Sequence, residues 1–144
     1  MSGKGIWSLI ILLVFTVSIT EVFAITESER TTIIDPKLVN AFGDSLGNSI
    51  NVDQQVQISA DVINNQEKTQ KIAYIVQVKN ENGFVVSVGW VVGVELNPHQ
   101  KFEQSISWIP KESGIFTAEI FVWEGFPWKH NAVSEQTSLE ISVS

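Results

Sequence analysis

Residues 121–128 read Phe-Val-Trp-Glu-Gly-Phe-Pro-Trp, and His130 follows shortly after. Five side chains in this stretch carry recognition chemistry: Phe121, Trp123, Phe126, Trp128 and His130. Flat π faces stack on sugar rings, and large aromatic anchors dominate protein interfaces. The spacing of two puts Phe121 and Trp123 on one side of a strand, and Phe126, Pro127 and Trp128 fall in the loop beyond it. The cluster is therefore the candidate interaction surface. The structural alternative is a loop folded back over the end of the domain, with Phe121 and Trp123 packed beneath the N-terminal segment or the first strand.

Residues suited to catalysis are not gathered in the same way. His99 and His130 stand in different turns, without a second His or a Cys at ligand spacing. Cysteine is absent, which excludes disulfides, thiolate metal sites and cupredoxin-type copper. Asp44 and Asp53 flank an oxygen-rich turn, DSLGNSINVD, of the kind that holds calcium between sandwich strands. It lacks a D-x-D-x-D-G run and reads as a solvated loop. Glu119 and Glu124 are assigned to the outward face of one strand, as polar surface and not as a glycosidase pair. No G-x-S-x-G places a nucleophilic serine. The expectation is a non-enzyme with no catalytic, cofactor or metal residues.

The elements that position the aromatics follow from the rest of the chain. The 144 residues carry a net charge of −7 and are 44% hydrophobic. Lys and Arg are scattered singly, so nucleic acid is a poor partner. Residues 1–24 place Lys4 before an apolar run from Ile6 to Ile19 and end with Val22 and Ala24 at the −3 and −1 places of a cleavage site. That is the pattern of a secretory signal peptide, and the run is short against the about 20 residues of a spanning helix. Two alternatives stay open: an uncleaved membrane anchor over residues 6–24, or processing after Gly5. The Lys4-Gly5 pair resembles the processing site of archaeal type IV pilin-like precursors, which keep the apolar helix as a filament core. All three place the remainder outside the cytoplasm, secreted or extracytoplasmic, with membrane contact only if the segment is retained.

Residues 25–32 are polar and read as a linker. Residues 33–144 form a series of short β-like runs. Val56, Ile58, Ala60 and Val62 alternate with polar residues; Ile72, Tyr74, Val76 and Val78 alternate with Gln77 and Lys79; Phe116, Ala118, Ile120 and Val122 form an inward face; and Leu139, Ile141 and Val143 alternate with Ser138, Glu140 and Ser142. Phe102, Ile106 and Trp108 share a face. Pro36 confines the first run to an edge or a broken strand. Asn82-Gly83 signals a tight hairpin with positive φ at both residues. Phe84–Leu96 holds Gly89 and Gly93, which imply a bulge or two strands. Trp90, Trp108 and Phe116 have inward parity and are expected in the core. About seven strands with regular turn signals make an all-β, single Ig-like antiparallel sandwich.

The stretch from Trp108 to Val122, with Trp108, Pro110, Gly114, Phe116 and Ala118 at its key places, resembles the E–F corner of fibronectin-III-like and CARDB-like sandwich modules. Phe116 stands where those modules more often carry Tyr, so packing must hold the corner without a hydroxyl bond. Residues 33–125 also resemble small exported proteins of ammonia-oxidising archaea. These resemblances imply an exported sandwich; a protein or cell-envelope partner is the expectation drawn from its acidic faces and exposed strand edges. A carbohydrate- or calcium-binding module, or a filament subunit with a β-sandwich head, is the alternative.

Overall fold

The computed structural model describes residues 24–125 and 131–144. Nine strands occur among them: β1 (Thr31–Val39), β2 (Ser45–Leu46), β3 (Ser49–Ile50), β4 (Val56–Asn64), β5 (Gln70–Asn80), β6 (Val85–Leu96), β7 (Lys101–Trp108), β8 (Gly114–Trp123) and β9 (Thr137–Val143). They form a four-stranded sheet, β2-β1-β4-β7, and a five-stranded sheet, β3-β9-β8-β5-β6. This is the all-β sandwich that the alternating pattern predicts. The two strands beyond the expected seven are the two-residue β2 and β3, inside a stretch that reads as loop. Among the described residues no helix is long and apolar enough to cross a membrane.

The alternating apolar positions meet between the sheets. Ile58, Ala60 and Val62 of β4 are buried there, as are Ile72, Tyr74, Val76 and Val78 of β5. Ala118, Ile120 and Val122 of β8 and Ile141 of β9 complete the layer. Each large apolar side chain removed from water contributes about 1.5–3 kcal/mol, which is the main force holding the two sheets together. The E–F corner is packed as its composition implies. Trp108 and Phe116 meet edge to face, with ring centroids 5.4 Å apart, and tie the end of β7 to the start of β8.

Several local features differ from the linear reading. Residues 25–32 are not a free tether. Thr26 and Glu29 form a capping box around a single 3-10 turn, Glu27–Glu29, and β1 already begins at Thr31. Thr31 N donates to Val133 O at 2.8 Å, and Asn65 N donates to Arg30 O at 2.9 Å. Pro36 lies at a register shift between Ile34 and Lys37, next to Asp35 with φ 52°. On that flank β2 pairs only with Leu38 and Val39, so the proline removes no ladder bond. The β5–β6 hairpin has positive φ at Gly83 alone. Gly83 N donates to Asn80 O, Asn80 N to Phe84 O, and Asn80 Oδ1 accepts from the amides of Asn82 and Phe84. The asparagine side chain thus replaces the two-residue turn by a longer one closed on Gly83.

The largest difference is Trp90. Val94 and Leu96 lie opposite the inward positions Ile72 and Gln70 on β5, whereas Val92 lies opposite Ala73. Gly93, with φ +74°, is the extra residue between them. One bulged residue reverses the facing of everything before it. Gly89 and Val91 therefore turn inward, and Trp90 turns outward, 52% exposed. Trp90 is not a core residue, unlike Trp108 and Phe116.

Candidate interaction face

The outer face of the five-stranded sheet is built from three neighbouring strands. Phe121 on β8 stands opposite Ile75 on β5, which stands opposite Trp90 on β6. In the adjoining row Trp123 stands opposite Ala73, and Ala73 opposite Val92. The strand spacing puts the outer members of each row about 9–10 Å apart. Val88, Trp90 and Val92 are exposed, and Phe121, Trp123 and Ile75 are half-buried. Ala73 has no exposure although it faces outward, being flanked by Trp123 and Val92. The apolar surface is continuous across the three strands.

A polar row borders it. Glu119 lies opposite Gln77, and Gln77 opposite Val88. Gln77 Nε2 donates to Glu119 Oε2 at 2.8 Å, and Lys79 Nζ reaches the same oxygen at 2.9 Å. The Lys79 hydrogen bond holds the Glu119 carboxyl below its ordinary range, against the opposing effect of its burial. The site therefore presents aromatic and branched side chains beside a fixed, ionised carboxylate.

The opposite outer face has another character. Asp61 and Ser59 of β4 are buried there beneath charged neighbours. Lys101 Nζ bonds Asp61 Oδ2 at 2.8 Å, Ser59 Oγ donates to Glu103 Oε1 at 2.7 Å, and Lys37 Nζ lies 3.4 Å from Glu103. That face carries ion pairs beside the half-buried Ile34 and Ile63. Among the described residues, the outer face of the five-stranded sheet exposes Val88, Trp90 and Val92.

Of the candidate residues read from sequence, Phe121 and Trp123 take the outward positions expected of them. They are not beneath β1, which belongs to the other sheet. Phe126, Trp128 and His130 lie outside the described residues. Trp90 joins the two rings and was missed because Gly93 reverses its parity. The signal was present in that glycine but not its consequence.

The remaining chemical candidates do not converge. His99 Nε2 meets Glu67 Oε1 at 2.8 Å in an exposed pair. Asp44 accepts from Asn40 Nδ2 at 3.0 Å, and Asp53 from Lys111 Nζ at 2.8 Å. Glu119 and Glu124 are not on one strand face. Glu124 lies past the end of β8 and bonds Arg30 at 3.5 Å. Among the described residues no three His, Cys, Asp or Glu gather in a way that would hold a metal ion.

No family model matches the chain, and no curated protein does. Solved structures match in fold. The C-terminal domain of Wzt is similar at 16% identity, with a TM-score of 0.67, over 80% of this chain and 74% of that one. The CARDB domain of the PF1109 protein from Pyrococcus furiosus, solved in complex with di-metal ions, is similar at 15% identity and a TM-score of 0.51, over 78% and 89%. A Paenibacillus cycloisomaltooligosaccharide glucanotransferase matches at 15% identity and a TM-score of 0.55, but the match spans only 13% of that enzyme. At such identities the likeness is one of fold. It shows a β-sandwich fold that a CARDB domain also has.

Proposed function

We propose that the chain is an exported, non-enzymatic β-sandwich module that makes protein or cell-envelope contacts through the outer face of its five-stranded sheet. The observation that supports this reading is the pair of rows Phe121–Ile75–Trp90 and Trp123–Ala73–Val92, an apolar surface with three aromatic members on one side of the described molecule, whose other side carries ion pairs. Exposed apolar patches with aromatic members mark interaction surfaces. Export is the reading of residues 1–24; an anchor or a filament subunit follows if they are retained. Intact mass of the native protein separates these: a chain beginning at Ile25 supports secretion, and one keeping Ile6–Ala24 supports the membrane or filament form.

The binding test uses the full chain and an envelope fraction of the cells that make it. Trp123→Lys keeps a long aliphatic stem over Ala73 while placing a charge on the face. Wild type should be retained and the variant released, with folding checked by circular dichroism. Equal retention of both would overturn the reading. The polar row Gln77–Glu119–Lys79 beside the rings favours a second reading, a saccharide platform, in which soluble envelope glycan competes for retention.

A further inference from the structure

The β1–β2 turn is closed by its own asparagine, as the β5–β6 turn is by Asn80. Asn40 Oδ1 accepts from Phe42 N at 2.9 Å and from Asp44 N at 3.0 Å. Gly43 N donates to Asn40 O at 3.1 Å, and Gly43 takes φ 87°. The ring this turn carries is Phe42, 91% exposed. A ring held out on a fixed turn loses little conformational freedom when it is bound, so most of its burial is available to a partner. The same end of the sandwich holds a cavity of about 180 Å³. Trp108 and Phe116 are its buried floor, and Val86, Ile109, Lys111 and Glu112 its exposed rim. An apolar cavity of about 150 Å³ accommodates one benzene ring. The edge-to-face pair on the floor suits an aromatic guest. Register fixes where ring and cavity stand. β4 lies between β1 and β7; Val39 at the end of β1 pairs with Gln57, and Val56 beside it pairs with Trp108. Phe42 and the cavity therefore occupy one end on opposite sides of β4, with β1 and β7 about 10 Å apart.

We infer that this end is a self-association site, in which Phe42 of each of two copies enters the Trp108–Phe116 cavity of the other. The occupant is a second copy because the chain itself supplies the ring, and supplies it in the matching place. A two-fold axis along the sheet normal at this end reverses the strand direction and exchanges the two sides of β4. It thereby sets each ring over the other copy's cavity. One axis makes both contacts, so the pair closes at two. Charge agrees at the rim. Asp44 stands two residues from Phe42, and the exposed Lys111 at the cavity mouth offers it a cation. Within one copy Lys111 Nζ bonds Asp53 Oδ1 at 2.8 Å, and Glu112 is the opposing charge on the rim. Phe84, another exposed ring at this end, is on the hairpin that carries Val86, beside the cavity and not across β4 from it. This end and the outer face of the five-stranded sheet are different surfaces, and either proposal can fail without the other.

The test is intermolecular paramagnetic broadening, which registers weak pairs. The chain has no cysteine, so Ser45→Cys, exposed beside the turn, takes a single nitroxide label. Labelled full chain is mixed with unlabelled, isotope-enriched full chain at up to about 1 mM, in non-ionic detergent so that residues 1–24 do not drive association. Broadening should fall on the amides of Val86, Ile109, Lys111 and Phe116 and grow with concentration. Phe42→Asp in both copies, a change at an exposed position, should abolish it, and so should Val86→Arg in both. Labelled Val86→Arg mixed with enriched Phe42→Asp keeps one ring and one cavity, and should restore part of the broadening, which shows that both variants are folded. No broadening at any concentration, broadening that survives Phe42→Asp in both copies, or a mixed pair that restores nothing would each overturn the inference. So would a mass by sedimentation that keeps growing beyond two copies. Cavity amides that shift with added envelope extract but never broaden would assign the cavity to another ligand, and would overturn it too.

Discussion

Asn64 Nδ2 lies 2.8 Å from Lys68 O, 3.0 Å from Asn97 O and 3.2 Å from Leu96 O, in a fully buried position. Its Oδ1 accepts from Gln66 N. One side chain thus satisfies the backbone of the two turns at this end of the sandwich, β4–β5 and β6–β7. Asn64→Ala would strand buried carbonyls, so stability should fall by about 2–3 kcal/mol in chemical denaturation. Tyr74 is the opposite case. Its hydroxyl is buried without a hydrogen-bond partner among the described residues. Burial, with a smaller contribution from the Glu103 charge, pushes the phenol above its ordinary 10.0. The unfolded chain loses that proton near 10, while the folded chain keeps it, so stability falls as pH rises past 10. Tyr74 is the sole tyrosine, and tyrosinate absorbance should appear only as the protein unfolds. Tyr74→Phe should remove this alkaline loss and leave neutral-pH stability equal or about 1 kcal/mol higher. A lower melting temperature in the variant would mean the hydroxyl is satisfied after all.

At the scale of elements, β6 decides what the molecule shows to its surroundings. The bulge turns Gly89 toward β7, where a Cβ would collide with Ile106 Cγ2. Gly89→Ala should therefore cost about 1–3 kcal/mol. In the double variant Gly89→Ala/Ile106→Ala the two costs should not add, because the second change makes room for the first. Additive costs in that cycle would place the strain elsewhere. The same strand marks the limit of what sequence discloses. In β4 and β9 apolar positions alternate with polar ones, and in β5 and β8 the polar Gln77, Lys79, Thr117 and Glu119 mark the outward parity, so the inward residues were legible from period. In β6 the apolar run has no polar alternation, and a single glycine chooses which half of it faces water. Nothing local distinguishes a bulged Gly93 from one that continues the pleat. The Asn82-Gly83 pair marked the place of the turn, but positive φ falls on Gly83 alone and the Asn80 side chain sets its length.

Taken whole, the described sandwich has one ion-paired side and one side with an aromatic, apolar surface. The chain disclosed the two-layer fold, the E–F corner and the outward place of Phe121 and Trp123. It did not disclose that Trp90 completes their rows, since that depends on pairing among β6, β5 and β8 across a long sequence separation. Glu119 anchors the polar border. Its lowered pKa means that the Lys79 and Gln77 bonds favour the folded state above the ordinary carboxylate range, and that this support fades as pH falls through the folded value. Glu119→Gln should accordingly flatten the acid limb of the stability profile. The measurement that bears most directly on the apolar face is envelope retention of wild type, Trp123→Lys and Ser107→Lys, the last an exposed position on the ion-paired side. An account in which the five-stranded sheet binds predicts about a tenfold or greater loss for Trp123→Lys and none for Ser107→Lys. Equal retention of all three, with each variant folded, would contradict it.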